Sequence, residues 1–131
     1  MVDCLKQLFE RQEAVYVITT KSFEFARRLL DSVGLRSLPD SQLFGLSALT
    51  KSRIISDLAR DVQAVQGGGV CVFVEDRVET LVNVAGTCAS PCELVLAGHG
   101  YNTARDKQRA AEAGFLVHGT AEALAKYLLA R

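Results

Sequence analysis

Continuous apolar runs alternate along this chain with stretches in which apolar residues recur at helical spacing. Four of the runs are short, almost wholly apolar and rich in β-branched residues, and they occupy residues 14–18, 70–74, 93–97 and 115–118. A strand in a parallel sheet is buried on both faces and therefore lacks polar alternation. These four runs are predicted to be parallel strands.

The stretches between the runs predict helices, because their apolar residues lie three or four positions apart. Ser22, Thr103 and Thr120 are suited to be N-caps, since their hydroxyls accept hydrogen bonds from backbone N–H groups. Helices are predicted over 23–33, from Lys51 to the glycines at 67–69, over 77–81, over 104–113 and over 121–129.

Residues 34–50 are predicted to form a loop, with at most one short strand near 42–44, because Pro39 and Gly45 interrupt them. Strands that alternate with helices indicate an α/β fold, here a Rossmann-like three-layer α/β/α arrangement with a mainly parallel sheet. No repeat or flexible linker divides the sequence, so a single domain over 1–131 is expected. Ligands of such sheets bind at the carboxyl ends of the strands.

Charge and hydropathy argue against two classes of partner. The 131 residues include 15 basic and 15 acidic side chains, so neither nucleic acid nor an anionic membrane surface is expected. No apolar run approaches the roughly 20 residues that span a bilayer, and the first residues lack the features of a signal peptide. The expected location is cytoplasmic, or organellar if an N-terminal targeting segment is missing.

The four cysteines, Cys4, Cys71, Cys88 and Cys92, lack the CxxC spacing of a zinc site. Only Cys88 and Cys92 are close in sequence. Reduced structural thiols are the favoured interpretation, and a metal or redox role for Cys88 with Cys92 is the alternative.

Polar residues stand where the predicted strands end. Thr19 and Thr20 follow the first strand, Glu75 and Asp76 follow the second, and Lys51 begins a helix. Thr19 is either a structural hydroxyl or part of a site. A lysine in the first helical turn is disfavoured by about 0.3–1 kcal/mol, so Lys51 is either solvated or retained for a nearby anion.

The two carboxylates of Glu75 and Asp76 have two interpretations. They suit a hard cation such as Mg²⁺, which takes one or two carboxylates together with water and phosphate oxygens. Alternatively, they cap the following helix or pair with Arg77, because negative charge is favoured at helix starts.

The segment 98–103 also lies between a strand and a helix. It is either a tight turn with a helix cap or an anion site built from backbone N–H groups. It lacks the GxGxxG pattern, so a dinucleotide site is not expected. His118, at the end of an apolar strand, is interpreted as structural.

Taken together, three segments resemble motifs of the haloacid dehalogenase-like (HAD) hydrolase superfamily over about residues 10–120. Residues 15–21 resemble its strand ending in Thr or Ser, Lys51 resembles its lysine motif, and 72–77 resemble its acidic motif. The resemblance implies a Mg²⁺-dependent phosphatase of the hydrolase class acting on a small phosphorylated molecule. The implied roles are catalysis for Thr19 and Lys51, phosphate binding for Thr19, Thr20 and Lys51, and Mg²⁺ binding for Glu75 and Asp76.

The sequence departs from that family at its first motif, an Asp-x-Asp after an apolar strand, which no part of the chain contains. No residue is therefore assigned as the nucleophile, and the chain is expected to be inactive in isolation, as a HAD-like core without its first strand. The alternative is a catalytically dead binding or interaction domain. Without the family's first strand, the strands that carry Thr19 and Glu75 would either pair directly or keep free edges for a strand-donating partner or a second copy.

Overall fold

The computed structural model describes residues 1–65 and 69–131, and it confirms an α/β fold with parallel sheets. The α-helices in this described part are α1 (Val2–Glu10), α2 (Phe23–Ser32), α3 (Lys51–Ala64), α4 (Val78–Thr87), α5 (Ala104–Glu112) and α6 (Ala121–Leu129). The strands are β1 (Val17–Ile18), β2 (Leu43–Phe44), β3 (Cys71–Glu75), β4 (Cys92–Ala97) and β5 (Leu116–His118), and a short 3-10 turn covers Asp40–Gln42. None of these helices is long and apolar enough to cross a membrane.

Helix starts are the most accurately predicted feature. The hydroxyls of Ser22, Thr103 and Thr120 each accept from the backbone N–H three residues later, at 3.1–3.2 Å. Thr50 caps α3 in the same way. Gly34, which ends the segment containing α2, has a φ of +84°, a conformation that favours glycine. The predicted helix limit at 67–69 includes Gly67 and Gly68, which lie outside the described residues.

Three elements differ from the prediction. Helix α1 was not predicted, although Cys4, Leu5 and Phe9 fall at helical spacing and Cys4 is buried. Helix α4 runs to Thr87 rather than residue 81, because Val84 continues its buried face. Strand β1 has only two residues, since its partner β2 offers only two for pairing.

The described residues divide into two compact units. The first comprises residues 1–48 and 125–131 and contains the parallel pair β1–β2, in which Val17 lies opposite Leu43. Its core centres on Ala26, Leu38 and Leu43. Arg27 fixes the following loop, since its guanidinium donates to the carbonyl oxygens of Leu38 at 2.6 Å and Leu35 at 3.0 Å.

The second unit comprises residues 49–124 and contains a three-stranded parallel sheet in the order β3-β4-β5. Leu81 and Val84 of α4, and Val95 and Leu96 of the central strand β4, are all fully buried. Burying such side chains contributes about 1.5–3 kcal/mol each relative to exposing them. The core of this unit therefore forms where α4 covers the middle of the sheet.

Direct pairing of the strands that carry Thr19 and Glu75 was one of two alternatives from the sequence, and it is not observed among the described strands. Among the described strands, β1 pairs only with β2, and β3 pairs only with β4. The strand-to-strand hydrogen bonding thus stays within each unit.

Candidate functional site

Glu75 is the charged residue buried most deeply at the end of β3, with a side chain only 7 % exposed. Its Oε2 lies 3.1 Å from Nζ of Lys51, and its Oε1 accepts from the backbone N–H of Arg77 at 3.3 Å. A buried carboxylate is costly unless it is paired and hydrogen-bonded. Both oxygens of Glu75 therefore have protein donors.

Lys51 owes its position to the start of α3, where Thr50 caps the helix and turns the chain. Its ammonium group has three N–H donors, and Glu75 is its one acceptor within the described residues. Of the two interpretations of Lys51, the structure shows a nearby anion, and that anion is a carboxylate of the same chain. The lysine side chain is 28 % exposed, and its other two N–H donors have no acceptor within the described residues.

Asp76 is held by the segment 98–103 that follows β4. The backbone N–H of Tyr101 donates to its Oδ2 at 2.9 Å. A Cβ at Gly100 would lie 2.5 Å from the Cβ of Asp76, closer than real contacts allow, so this approach requires glycine. No residue of the described chain donates to Oδ1 of Asp76.

Asn102 joins the ends of β3 and β4. Its Nδ2 donates to the backbone oxygens of Asp76 and Ala97, each at 2.9 Å. Because both amide hydrogens are used, the orientation of the amide is fixed, and its Oδ1 is buried without a partner in the described part of the chain. Such an acceptor costs about 1–3 kcal/mol when left unpaired.

The start of α5 argues against an anion site built from the backbone N–H groups of 98–103. Thr103 and Asp106 form a capping box there, in which each side chain accepts from the other residue's backbone N–H. The hydrogen bond from the Thr103 backbone lowers the pKa of Asp106. The carboxylate of Asp106 therefore already occupies the start of α5, and the interpretation of 98–103 as a turn with a helix cap fits. Gly98, where the ends of β4 and β5 meet, donates to the carbonyl oxygen of His118 at 2.7 Å.

Thr19 and Thr20 belong to the other compact unit. The backbone N–H of Thr19 donates to the carbonyl oxygen of Phe44 at 2.9 Å, and its Oγ1 accepts from the backbone N–H of Lys21 at 3.2 Å. The structure thus brings Lys51, Glu75 and Asp76 together in one unit and places the threonines in another.

The residues that sequence reasoning missed are Gly100, Tyr101 and Asn102 in their role as the support of Asp76. Their segment was considered as a separate turn. The available signal was topological, because adjacent parallel strands end at the same edge and bring the segments that follow them together.

Cys92 has a different neighbour from the one its sequence position suggests. Its Sγ lies 3.6 Å from Sγ of Cys71, whereas the thiol of Cys88 lies 3.3 Å from the carbonyl oxygen of Ser90. All four thiols are free. Within residues 1–65 and 69–131, no three His, Cys, Asp or Glu side chains form a cluster able to hold a metal ion.

Glu75 and Asp76 differ in how well they suit Mg²⁺. A cation bound to Glu75 would replace its hydrogen bond from Lys51 or from the N–H of Arg77. Oδ1 of Asp76 accepts no hydrogen bond from the described residues, so a cation there replaces none. Because Mg²⁺ is often held by one or two carboxylates and otherwise by water and phosphate, Asp76 fits as a single carboxylate ligand. Glu75 fits better as the partner that positions Lys51.

Comparison of the chain with protein-family models, with curated proteins and with solved structures finds no match.

Proposed function

We propose that the edge formed by Lys51, Glu75 and Asp76 is the phosphate- and cation-binding part of a HAD-like phosphohydrolase domain, and that this chain alone binds phosphate without hydrolysing its esters. The observation that carries the proposal is the Lys51–Glu75 ion pair at the end of β3, with Asp76 next to it. One partly exposed cation and one carboxylate oxygen without a donor in the described residues thus lie at the kind of edge where parallel sheets bind ligands.

Each residue of the edge has a separate proposed role. Glu75, fixed by the N–H of Arg77, orients the ammonium group of Lys51, whose remaining donors bind phosphate oxygens. Asp76, fixed by Tyr101 and Asn102, provides the carboxylate for Mg²⁺. When bound, Mg²⁺ would neutralise part of the phosphate charge. The phosphate-binding roles of Thr19 and Thr20 stay predictions from the resemblance.

Hydrolysis through an aspartyl intermediate needs a carboxylate nucleophile. The sequence contains no Asp-x-Asp, Glu75 is paired with Lys51, and the proposal assigns Asp76 to the cation. This is why binding without turnover is proposed for this chain.

The proposal is tested by following the backbone amide signals of the full chain by NMR during titration with inorganic phosphate, with and without Mg²⁺. We expect saturable shifts at Lys51, Arg77 and Tyr101. Lys51→Gln should abolish the phosphate response, and Asp76→Asn should abolish its dependence on Mg²⁺. Arg53→Gln is the matched control. Arg53 lies in the same helical turn as Lys51, and its cationic side chain is 66 % exposed.

A response that is the same in the wild type and in Lys51→Gln would contradict the proposal. Hydrolysis of p-nitrophenyl phosphate by the same samples tests the second half. No Mg²⁺-dependent hydrolysis is expected, and hydrolysis lost in Asp76→Asn would show that another carboxylate acts as the nucleophile.

One observation favours a second candidate, a binding or interaction domain in which the cluster is purely structural. Three of the four carboxylate oxygens of Glu75 and Asp76 already accept from protein donors. On this alternative, Lys51 locks α3 onto the end of β3, and the titration leaves every amide signal unchanged while Lys51→Gln still destabilises the fold.

A further inference from the structure

Cys71 and Cys92 are the first residues of β3 and β4 and are direct neighbours in the register of these strands. Their sulfur atoms are 3.6 Å apart and are joined by a hydrogen bond that Cys92 donates. Both side chains are part-exposed, so a small reagent can reach them. The pair lies at the end of the sheet opposite Glu75, so it is separate from the proposed phosphate edge.

The backbone geometry suits a covalent link. Neighbouring parallel strands lie about 4.7–4.9 Å apart, which is inside the roughly 4.4–6.8 Å range of Cα separations found across disulfide bonds. A disulfide has sulfur atoms about 2.05 Å apart, so the two atoms must approach by about 1.5 Å. Side-chain rotation at two part-exposed residues can provide that movement.

The reactivity of the pair is asymmetric. The hydrogen bond from Cys92 lowers the pKa of Cys71 to about 7, whereas the same interaction and burial raise the pKa of Cys92. A thiol whose pKa is close to ambient pH is the best attacking group in thiol–disulfide exchange, because it combines thiolate population with nucleophilicity. These two directions favour Cys71 as the attacking thiol and Cys92 as the resolving thiol.

We propose that Cys71 and Cys92 form a modification site, at which a small disulfide of the glutathione type converts the two thiols into a disulfide bond between β3 and β4. The Cys71 thiolate attacks one sulfur of the reagent, forms a mixed disulfide and releases the first small thiolate. Cys92 then loses its proton to solvent, and its sulfur attacks the sulfur of Cys71 and releases the second.

The reaction balances without any further oxidant. The two protein thiols are oxidised to one disulfide, the reagent is reduced to two small thiols, and the two protons released by the cysteines go to those thiols. The second step is helped by the first. The cause that chiefly raises the pKa of Cys92 is its hydrogen bond to the Cys71 sulfur, and that sulfur is no longer a thiolate in the mixed disulfide.

The test is treatment of the full chain with oxidised glutathione at graded ratios to reduced glutathione, followed by acid quenching, blocking of free thiols and tryptic mass mapping. Trypsin cleaves after Arg60, Arg77 and Arg105, so Cys71 lies in peptide 61–77 and both Cys88 and Cys92 lie in 78–105. A Cys71 link joins two peptides, whereas a Cys88–Cys92 link stays within one.

We expect the joined peptides in the wild type and in Cys88→Ser, and their loss in Cys92→Ser, which should instead stop at the glutathione adduct of Cys71. The oxidised chain should also melt at a temperature about 5 °C or more above that of the reduced chain, since the link closes a loop in the unfolded state. A crosslink within 78–105, loss of the joined peptides in Cys88→Ser, or adducts alone in the wild type would overturn the proposal. Even if a variant fails to fold, the wild-type peptide map distinguishes a Cys71–Cys92 link, which joins 61–77 to 78–105, from a Cys88–Cys92 link, which stays within 78–105.

Discussion

The two compact units differ in how the polar groups at their strand ends are held. At the end of β1, the hydroxyl of Thr19 accepts from a backbone N–H only two residues away. At the end of β3, Glu75 and Asp76 are bound by Lys51 and Tyr101, which lie 24 and 25 residues away in sequence. The first arrangement is a local turn, whereas the second exists only after the sheet and α3 have assembled.

Both units bury apolar side chains, but α2 leaves one apolar face exposed. Leu81 and Leu96 of the second unit and Leu38 of the first are buried, whereas Phe25, Leu29 and Val33 of the α2 segment are 46–47 % exposed. These three lie four residues apart and so share one helix face. Contacts between residues far apart in the chain thus set the geometry of the candidate site in the unit that contains β3, β4 and β5.

The largest expected effect is from Leu81→Ala, which empties a fully buried position in α4. We expect a loss of about 2–5 kcal/mol in the free energy of unfolding, from lost transfer energy and the cavity left behind. Leu29→Ala, at an exposed position of α2, should change it by about 0.5 kcal/mol or less. Urea unfolding followed by circular dichroism measures both losses, and equal losses would contradict the difference in burial between these two positions.

The next effect concerns the Lys51–Glu75 ion pair. Lys51→Met leaves the buried carboxylate without its cation and should cost about 2 kcal/mol, less than for a fully buried pair because the lysine is partly solvated. Adding Glu75→Leu should restore much of that loss, since the unpaired charge is removed. Urea unfolding of the single and double variants completes the cycle. Strictly additive losses would mean that the two side chains are not coupled.

A smaller effect is expected where Gly100 contacts Asp76. Gly100→Ala places a Cβ 2.5 Å from the Asp76 Cβ and should cost about 1–2 kcal/mol, because the backbone of 98–103 must shift. Gly86→Ala is the matched control, since its Cβ would meet nothing within 4 Å and alanine is favoured inside α4 by about 0.5–1 kcal/mol. Thermal melts should thus move in opposite directions, and destabilisation by both substitutions would contradict the assigned contact.

The smallest effect is the pH dependence of the α5 cap. The pKa of Asp106 is lowered from 3.8, so its carboxylate stabilises the helix start above that pH, and the stabilisation is lost as pH falls through the lowered pKa of the folded chain. Amide hydrogen exchange in the first turn of α5 should accelerate in that acid range relative to the first turn of α3, which Thr50 caps without a carboxylate. In Asp106→Asn this pH dependence should disappear, and its persistence would exclude the cap as its source.

Local patterns predicted much of the fold. The apolar runs located β3, β4 and β5 to within a residue or two, and the hydroxyls before α2, α5 and α6 located their starts, because capping and strand burial depend on neighbouring residues. The same reasoning selected Lys51, Glu75 and Asp76 from their places at a helix start and a strand end. It missed α1 and shortened α4, although in both the periodic signal was present.

Sequence proximity misled where the partner is distant in the chain. Cys88 and Cys92 are close in sequence, yet the thiol of Cys92 contacts Cys71 across the sheet, because strand register rather than spacing decides which side chains meet. The support of Asp76 by the segment after β4 escaped prediction for the same reason.

The sequence by itself determined the element types, their order and the residues able to carry charge at the strand ends, since each follows from periodicity, capping and local chemistry. Only the tertiary structure decided that Lys51 pairs with Glu75, that Gly100 must be small beside Asp76 and that the strands form two separate sheets within the described residues. Each of these depends on contacts between residues far apart in the chain, and such contacts are set by packing and register rather than by neighbouring residues.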